Sequence, residues 1–354
     1  MSPVTEVSAP TNRRDDLGHA GGVRGLLWLT WRQHRWTLIG TLVLAAVLVG
    51  WMTYLSVELT SLWHQCHETF CPDNSPQADR LAGSSPLVLA MAALLRVVQW
   101  MPLLIGVFVG VPVLTREHEQ RTLLLAWSQD VSPERWLWTR LAVLGLFVAA
   151  VTTAVGGVSD HLERTRALVG PVSLFEYEPF LNTAMLPVVI SLCWFAIGVA
   201  LGAVLRRTLA GVFGVIVGFV GLTYLVQWRY PTLMTPLSAH RPIGGPNLDV
   251  LRDNALVVSG GMIDYGIDGP SGAFDASGRE LTGVELQRLC PPDNGSGRTL
   301  ACFAENHLEQ HLLYQPGSRI TDFHLIVAGG YLGLTAVALL TVWWIVRRTD
   351  LSAG

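Results

Sequence analysis

Six apolar segments, each about as long as a lipid bilayer is thick, constrain this chain more than any other feature of its sequence. A helix needs about 20 consecutive apolar residues to cross the hydrocarbon core of a bilayer. Half of the residues are hydrophobic and only 14% are charged, which is unusual for a water-soluble domain. We therefore predict an all-α polytopic membrane protein with transmembrane helices at Thr37–Leu55, Leu87–Thr115, Leu141–Val158, Thr183–Leu205, Leu209–Gln227 and Phe323–Val346.

The distribution of arginine predicts which ends of these helices face the cytoplasm. Short cytoplasmic loops are enriched in Lys and Arg, and all 24 basic residues of this chain are arginines. Thirteen of them fall in the segments on the same side as the two termini, whereas the two short loops on the other side hold only Arg80, Arg164 and Arg166. We expect a multi-pass protein of the cell (plasma) membrane with both termini cytoplasmic.

The complete absence of lysine excludes one class of function. A phosphate-binding P-loop needs a lysine that reaches the β- and γ-phosphates of the nucleotide. Because the chain contains no lysine, it cannot form such a loop. Any energy from ATP must come from another polypeptide, and we expect no cofactor in this chain.

Two regions outside the spans are expected to have their own character. Residues 1–24 are polar and small, which predicts a disordered cytoplasmic terminus. The following stretch, Gly25 to Trp36, is either an interfacial helix or a cytoplasmic extension of the first span. The transmembrane domain is expected at residues 25–227 and contains the first five spans. Residues 323–354 contain the sixth span and a short cytoplasmic tail.

The segment 228–322 predicts a small mixed α/β extracytoplasmic subdomain between helices five and six. Residues 254–269 favour a strand, a turn and a second strand. A capped helix is expected to begin at Thr282, and residues 305–315 favour a second helix before Pro316.

Four cysteines in the external segments predict disulfides, since an even set suits an oxidising compartment. Cys66 and Cys71 share the first external loop, and Cys290 and Cys302 share the long external segment. Local pairing within each segment is favoured, with cross-loop pairing and free thiols as alternatives. Cys193, inside the fourth span, is expected to be a packing residue.

Metal binding is an alternative for two external clusters. His307 and His311 have the i, i+4 spacing of zinc ligands on a helix, but Glu309 fits neither metalloprotease order. A solvated helix face is therefore favoured there. In the first external loop a disulfide is favoured over a zinc site formed by His64, Cys66, His67 and Cys71.

Two polar residues, Arg96 and Gln99, lie in the outer part of the second apolar segment. Ionisable groups inside a membrane are costly and often functional. Both residues are therefore candidates for a transport pathway, with Arg96 contacting an anionic part of the substrate. In the alternative, which we favour, the helix proper begins near Trp100 and Arg96 extends to the outer headgroups.

The stretch TREHEQRTLLLAWSQDVSPERWLWTR, Thr115 to Arg140, joins the second and third spans on the arginine-rich side. In a helix Glu117 and Arg121 form an i, i+4 pair that stabilises by roughly 0.2–0.5 kcal/mol. Ser132 and Pro133 predict the N-cap and first position of a second helix. The converging groups of an active site are missing, so the pattern indicates a docking elbow between two spans.

This elbow resembles that of ABC transporter permeases of the type-2 exporter superfamily, particularly actinobacterial members. The matching positions are Arg116, Glu117, Glu119, Thr122, Leu125, Ala126, Trp127, Gln129, Val131, Ser132, Arg135 and Trp136. Further similarity lies in LTWRQHRW, GAVLRRTLAG, YQPGSR and WWIVRR, at residues 29–36, 202–211, 314–319 and 343–348. One departure is Arg121, because a glycine usually precedes the threonine.

The resemblance implies that this chain is the permease subunit of an ATP-driven exporter and is not itself an enzyme. Its elbow would carry the coupling helix that fits a cleft in a separate ABC ATP-binding subunit, which would bind the ATP. A second permease copy or relative would pair with it in the lipid bilayer, and no nucleic-acid partner is expected. The implied coupling residues are Glu117, Arg121, Leu123, Leu124, Leu125, Trp127, Gln129, Ser132 and Arg135.

Two other functions stay open at this point. A membrane-bound enzyme would place its active site in the external subdomain, although the histidines there are poorly spaced. A non-transporting sensor or immunity protein would keep the fold and use the external subdomain for binding.

Overall fold

Six long apolar helices dominate the structure, a computed structural model that describes residues 18–66, 75–81, 85–115, 133–169, 172–243, 254–259, 270–292 and 298–351. In this part of the chain, six helices are long and apolar enough to cross a membrane, which confirms the predicted polytopic fold. The helices up to the sheet are α1 (Gly18–Gln65), α2 (Pro76–Leu81), α3 (Pro86–Ile105), α4 (Pro133–Val169), α5 (Tyr177–Asn182), α6 (Leu186–Leu205) and α7 (Thr208–Arg229). Beyond them lie α8 (Gly283–Leu289), α9 (Arg298–Glu305) and α10 (Ile320–Leu351).

The first span is part of a longer helix than the sequence predicts. α1 begins at Gly18 and continues without a break to Gln65. The stretch from Gly25 to Trp36 is therefore an extension of the first span and not a separate interfacial helix. Residues 18–24 are also helical, where the sequence predicts disorder. Once a helix has nucleated, each added residue gains a hydrogen bond at little further cost. The stable helix of the apolar span therefore continues towards the N-terminus into residues 18–36.

α6 lies at the centre of the spans, where it contacts α3, α4, α7 and α10. Pro187 sits in its first turn, where a missing backbone N–H costs little. Cys193 is fully buried as a free thiol. The helix ends at Arg206, whose left-handed φ of 53° lets its N–H donate to the Gly202 carbonyl oxygen. The chain thereby reverses into α7 within two residues.

The second span contains a local widening of its helix. α3 continues into a π-helix, Gly106–Gly110, and then a helical turn at 112–115. Val111 N–H donates to the Gly106 carbonyl oxygen at 2.9 Å. Pro102 and Pro112 flank this widened turn, and a proline inside a helix removes one backbone hydrogen bond. Single π-turns of this kind are frequent at functional sites.

The second span and α6 touch backbone to backbone because glycines face each other. A Cβ atom on Gly198 would overlap the Gly106 carbonyl oxygen. One on Gly110 would lie 2.7 Å from the Phe195 carbonyl oxygen, which is well inside van der Waals contact. We call this contact the glycine seam. Small residues at helix contacts let backbones approach closely in membranes, so the seam fixes the second span against the central helix.

A small antiparallel sheet follows α7. Its strands are β1 (Leu237–Pro242), β2 (Leu256–Ser259), β3 (Pro270–Phe274), β4 (Glu280–Thr282) and β5 (Glu309–Gln315). The order is β1-β5-β3-β4, and β2 also pairs with β5. β5 is thus the central strand, and it leads through a 3-10 turn, Gly317–Arg319, into α10.

The prediction of a helix over residues 305–315 is wrong. Most of this segment forms β5, and buried positions recur along it at Gln310, Leu312 and Gln315. Two of these three buried residues are polar, so the strand does not show the apolar alternation that marks a strand in a sequence. Hydrogen bonding with three other strands then outweighs the local preference of this segment for a helix.

Two other predicted elements of this region are present in the structure. β2 lies in the first predicted strand, while the predicted turn and the second strand fall outside the described residues. The predicted helix at Thr282 is α8, and it begins with a capping box in which Thr282 and Glu285 bond each other's backbone N–H. Cys290 and Cys302 form a disulfide, which is the local pairing that the sequence favours.

An aromatic cluster packs between the ends of the spans that lie on the same side as the sheet. Phe175 packs against Phe180, Tyr230 and Phe323, with ring centroids 4.8–6.2 Å apart. The Tyr230 hydroxyl donates to the Phe175 carbonyl oxygen at 2.7 Å. All four rings are fully or almost fully buried. They connect the segment between α4 and α6 to the end of α7 and the start of α10.

We predict that the glycine seam tolerates no side chain. Gly198→Ala should lower the free energy of unfolding by about 1–3 kcal/mol, because the added methyl forces backbones apart. Thermal unfolding of the protein in detergent measures this loss. The control is Gly157→Ala in α4, where nothing lies within 4 Å of the added atom and alanine favours a helix by about 0.8–1.0 kcal/mol. Equal stability of the two variants would contradict the seam.

Candidate functional site

Arginine side chains gather at one end of the spans. Arg347, near the end of α10, donates to Glu134 at the start of α4 at 2.8 Å. Thr208, at the start of α7, donates to Thr115 at the end of the second span at 3.1 Å. These contacts bring four span termini to one end, which we call the arginine-rich end. Its described arginines are Arg32, Arg35, Arg135, Arg140, Arg206, Arg207, Arg347 and Arg348.

Several of these arginines lie over tryptophan rings. The Arg140 guanidinium lies 4.5 Å from the Trp136 ring centroid, and the Arg348 guanidinium lies 3.8 Å from that of Trp344. Each pair is spaced i, i+4 on its helix, so the two side chains lie on the same face. Tryptophan and arginine together are typical of the membrane–water interface. Trp344 and Arg348 are exposed, so this pair marks where the membrane surface crosses this end of the protein, whereas Trp136 and Arg140 are buried.

The predicted docking elbow connects at this end. The second span ends at Thr115 and α4 begins at Pro133, so the elbow is held between two anchored helices. Of the predicted coupling residues only Arg135 is described, and its side chain is exposed in the first turn of α4. The others lie outside the described residues: Glu117, Arg121, Leu123, Leu124, Leu125, Trp127, Gln129 and Ser132.

A cavity of about 300 Å³ lies between α3, α5, α6, α7 and α10. Gln99 is in its wall, and the Gln99 Nε2 donates to the Glu178 carbonyl oxygen at 3.1 Å. Trp100 and Tyr224 also line it, and both are exposed, so the cavity opens between α3 and α7. Its walls are mostly aromatic and aliphatic, with a few polar groups. This combination is typical of a small-molecule site.

The structure separates the two residues that the sequence groups as pathway candidates. Gln99 lines the cavity, whereas Arg96, one turn earlier on α3, is exposed and not among the lining residues. Tyr177 closes the other side of the cavity, where its hydroxyl donates to the Thr223 carbonyl oxygen at 3.2 Å. Burial raises the pKa of Tyr177 to about 12, so the phenol stays a neutral donor at physiological pH.

Sequence reasoning missed a polar network beside this cavity. Glu163 of α4 is buried, and it accepts hydrogen bonds from Asn182 at 3.1 Å and from Arg166 at 3.0 Å. Asp160, one turn earlier, accepts from Arg164 and from the backbone N–H of Ala184. The sequence signal is the run of two carboxylates and two arginines from Asp160 to Arg166 at the end of the third span, of which the charge count uses only the arginines. The network holds α4 against the turn that starts α6.

Comparison with family models matches residues 39–229 to the family described as ABC-2 membrane transporter related. This match covers more than half of the chain. The chain belongs to that family. Residues 232–320 match a second model, described as a domain of unknown function (DUF8319). No curated protein and no solved structure matches the chain.

In this ABC-2 membrane permease the two family models meet at a structural boundary. The first ends with α7 and the second begins inside the 3-10 helix Tyr230–Thr232. The family match therefore covers the first five spans from residue 39 onward, the cavity lining except Tyr331 of α10, and the part of the arginine-rich end that holds Arg135, Arg140, Arg206 and Arg207. The sheet is a separate addition between the fifth and sixth spans.

The sheet does not bring the predicted zinc ligands together. His307 lies in a turn with a left-handed φ of 48°, and His311 lies in β5. The His311 ring instead stacks on Phe274 and meets the edge of His240 across the strand pair. Within the described residues, no three His, Cys, Asp or Glu side chains converge as a metal site.

The first loop also favours a disulfide over a zinc site. Cys66 is disulfide-bonded, and a disulfide sulfur is not the thiolate that zinc requires. Its predicted partner Cys71 lies outside the described residues, as does His67.

We predict that the two ion pairs at opposite ends of α4 differ in strength. Glu163→Ala should lower the free energy of unfolding by about 3 kcal/mol, because it leaves buried donors without an acceptor. Glu134→Ala removes the exposed pair with Arg347 and should cost less than about 1 kcal/mol. Thermal unfolding in detergent compares the two variants. Similar losses would mean that the network around Glu163 does not hold α4.

Proposed function

We propose that this permease is the membrane subunit of an ATP-driven ABC exporter. A separate ATP-binding subunit would dock on the arginine-rich end, and the substrate would pass beside Gln99. The observation that best supports this proposal is the continuity of the second span. One helix connects Thr115, where the docking elbow begins, to Gln99 in the cavity wall.

The second span is suited to transmit movement between these two places. Thr115 and Gln99 are sixteen residues apart, which is about 24 Å at 1.5 Å per residue. The glycine seam holds this helix directly against α6, and the Thr115 hydroxyl is bonded to Thr208 at the start of α7. A displacement of the elbow would therefore move α6 and α7 as well. The π-turn between the two places supplies a point where the helix can change its pitch.

The charge distribution supports a cytoplasmic position for the arginine-rich end. Eight described arginines lie there, whereas the short loops at the opposite end hold only Arg80, Arg164 and Arg166 among the described residues, and this asymmetry is what the positive-inside rule predicts. The opposite end carries the sheet with its Cys290–Cys302 disulfide, which suits an oxidising compartment. On this proposal both termini are cytoplasmic, the sheet is extracytoplasmic and the membrane is the plasma membrane.

A second permease, either a copy or a relative, would complete the pathway. The cavity opens between α3 and α7, so one chain alone does not enclose it. α7 also exposes large apolar side chains, including Leu209, Phe213 and Tyr224. A second permease that packs near this opening would supply the missing wall. Transport would then alternate between two accessible states as ATP closes the partner subunits.

We predict that substitutions in the elbow release the ATP-binding subunit. Glu117→Arg, Arg121→Glu and Leu125→Arg should each reduce co-purification of an ABC ATP-binding subunit by about tenfold, or about 1.4 kcal/mol, because each places a reversed or a new charge in the proposed interface. The tagged protein is purified in mild detergent and its partners are quantified by mass spectrometry.

The matched control is Arg288→Glu, an exposed charge reversal on α8 at the sheet. It should leave the ATP-binding subunit bound. If all four variants retain the subunit equally, the elbow is not the docking site. If the unsubstituted protein brings down no such subunit, the exporter proposal itself fails.

We predict that Gln99 changes its accessibility during the ATP cycle, whereas Arg96 does not. Gln99→Cys and Arg96→Cys are made with Cys193→Ser, and both are labelled with a membrane-impermeant maleimide. Trapping the complex with ATP and vanadate should change the labelling rate at position 99 several-fold, because the cavity opens or closes. Position 96, outside the cavity lining, should keep its rate. Equal behaviour of both positions would remove the cavity from the pathway.

A further inference from the structure

A second apolar cavity lies on the outer surface of the spans, between α7 and α10. It has a volume of about 600 Å³. Its walls include Leu222 and Leu225 of α7 and Ile326 and Leu334 of α10. We call it the lateral groove. The proposed docking and transport regions do not include this groove, and the predicted docking elbow lies at the other end of the helices.

The groove is long and narrow. Its wall on α7 extends from Leu222 to Arg229 and its wall on α10 from Ile326 to Leu334, which correspond to about 10 and 12 Å at 1.5 Å per residue. This length is most of one leaflet, since half of the hydrocarbon core is about 15 Å. A further transmembrane helix would pack along the whole core of about 30 Å, whereas the groove ends within one leaflet. Its length therefore fits an acyl chain better than a further helix.

Gly330 creates the depth of the groove on the α10 side. It is among the lining residues, and a Cβ atom built on it would have nothing within 4 Å. A large side chain at this position would therefore project into the open space. The neighbouring glycine, Gly329, also has open space around it but does not line the groove.

One charged residue, Arg229, lies at the sheet-side end of this otherwise apolar lining. Its side chain is exposed, and its guanidinium lies 4.7 Å from the ring centroid of Trp228. No carboxylate in the described part of the chain pairs with it. Tryptophan and arginine at the end of a span mark the level of the lipid headgroups. The groove thus presents a cation at headgroup level and an apolar slot below it.

We propose that one anionic phospholipid of the bilayer occupies the lateral groove, with its phosphate on Arg229 and an acyl chain between α7 and α10. Arginine donates to phosphate in a planar, bidentate geometry. The acyl chain covers apolar surface on α7, which packs against the rest of the protein over only a small part of its length. The lipid is therefore a structural ligand that steadies the fifth span. This site does not depend on the exporter proposal.

The test uses the full-length protein in nanodiscs that contain phosphatidylglycerol with a photoactivatable group in its acyl chain. After illumination, peptides that span residues 222–233 and 326–334 should carry most of the label. Arg229→Gln should lower this labelling about tenfold, as the loss of a charged hydrogen bond does, and Arg229→Lys should restore part of it. Gly330→Leu should block labelling because the new side chain fills the slot.

Gly329→Leu is the matched control and should label like the unsubstituted protein. Phosphatidylcholine, added as an unlabelled competitor, should displace the probe less well than phosphatidylglycerol. The proposal is overturned if Arg229→Gln and Gly330→Leu label normally, or if the label spreads evenly over all exposed spans. It is also overturned if Gly330→Leu abolishes a dimer while lipid labelling is unchanged, since the groove would then hold a second copy.

Discussion

The glycine seam between the second span and α6 is the contact on which the rest of the structure depends. In a bilayer, water does not drive helices together, so close packing of backbones has to provide much of the attraction. At the seam two backbones meet without any side chain between them. The second span leads into the proposed docking elbow and forms part of the cavity wall, and α6 contacts the third, fifth and sixth spans as well as the second. One contact therefore sets the position of both regions to which we assign a function.

The spans, their approximate number of residues and the arginine-rich end could be predicted because each depends on local composition. Apolar length and charge can be read directly from a sequence, and the spacing of Thr282 and Glu285 predicts the capped start of α8. The seam could not be predicted in the same way. Gly106 and Gly198 are 92 residues apart, and a single sequence does not reveal that they meet. The hydrogen bond that Glu163 accepts from Asn182 could not be predicted either, because these two residues are also distant in the sequence.

The wrong prediction at β5 has a different cause. Its residues favour a helix when they are considered alone, and Gln310 and Gln315 occupy buried positions where a strand usually shows apolar residues. Gln315 is buried because its amide donates to the Met234 carbonyl oxygen at 2.6 Å, a partner from a distant part of the chain. The zinc hypothesis for His307 and His311 depended on that helix. His307 lies in the turn before the strand, and four residues of extended chain span about 13 Å at 3.3 Å per residue, which is too far for two rings to share one metal ion.

The pairing of β1 with β5 also restricts how the fifth and sixth spans can move. β1 follows α7 almost directly, β5 precedes α10, and the two strands pair from Leu237 with Tyr314 to Pro242 with Glu309. The two helices are thus tied together at the sheet-side end by a ladder of backbone hydrogen bonds. They can separate only as the two arms of a hinge separate, with the largest displacement at the arginine-rich end. Any sideways opening of the protein between them is therefore wedge-shaped, and wider toward the elbow than toward the sheet.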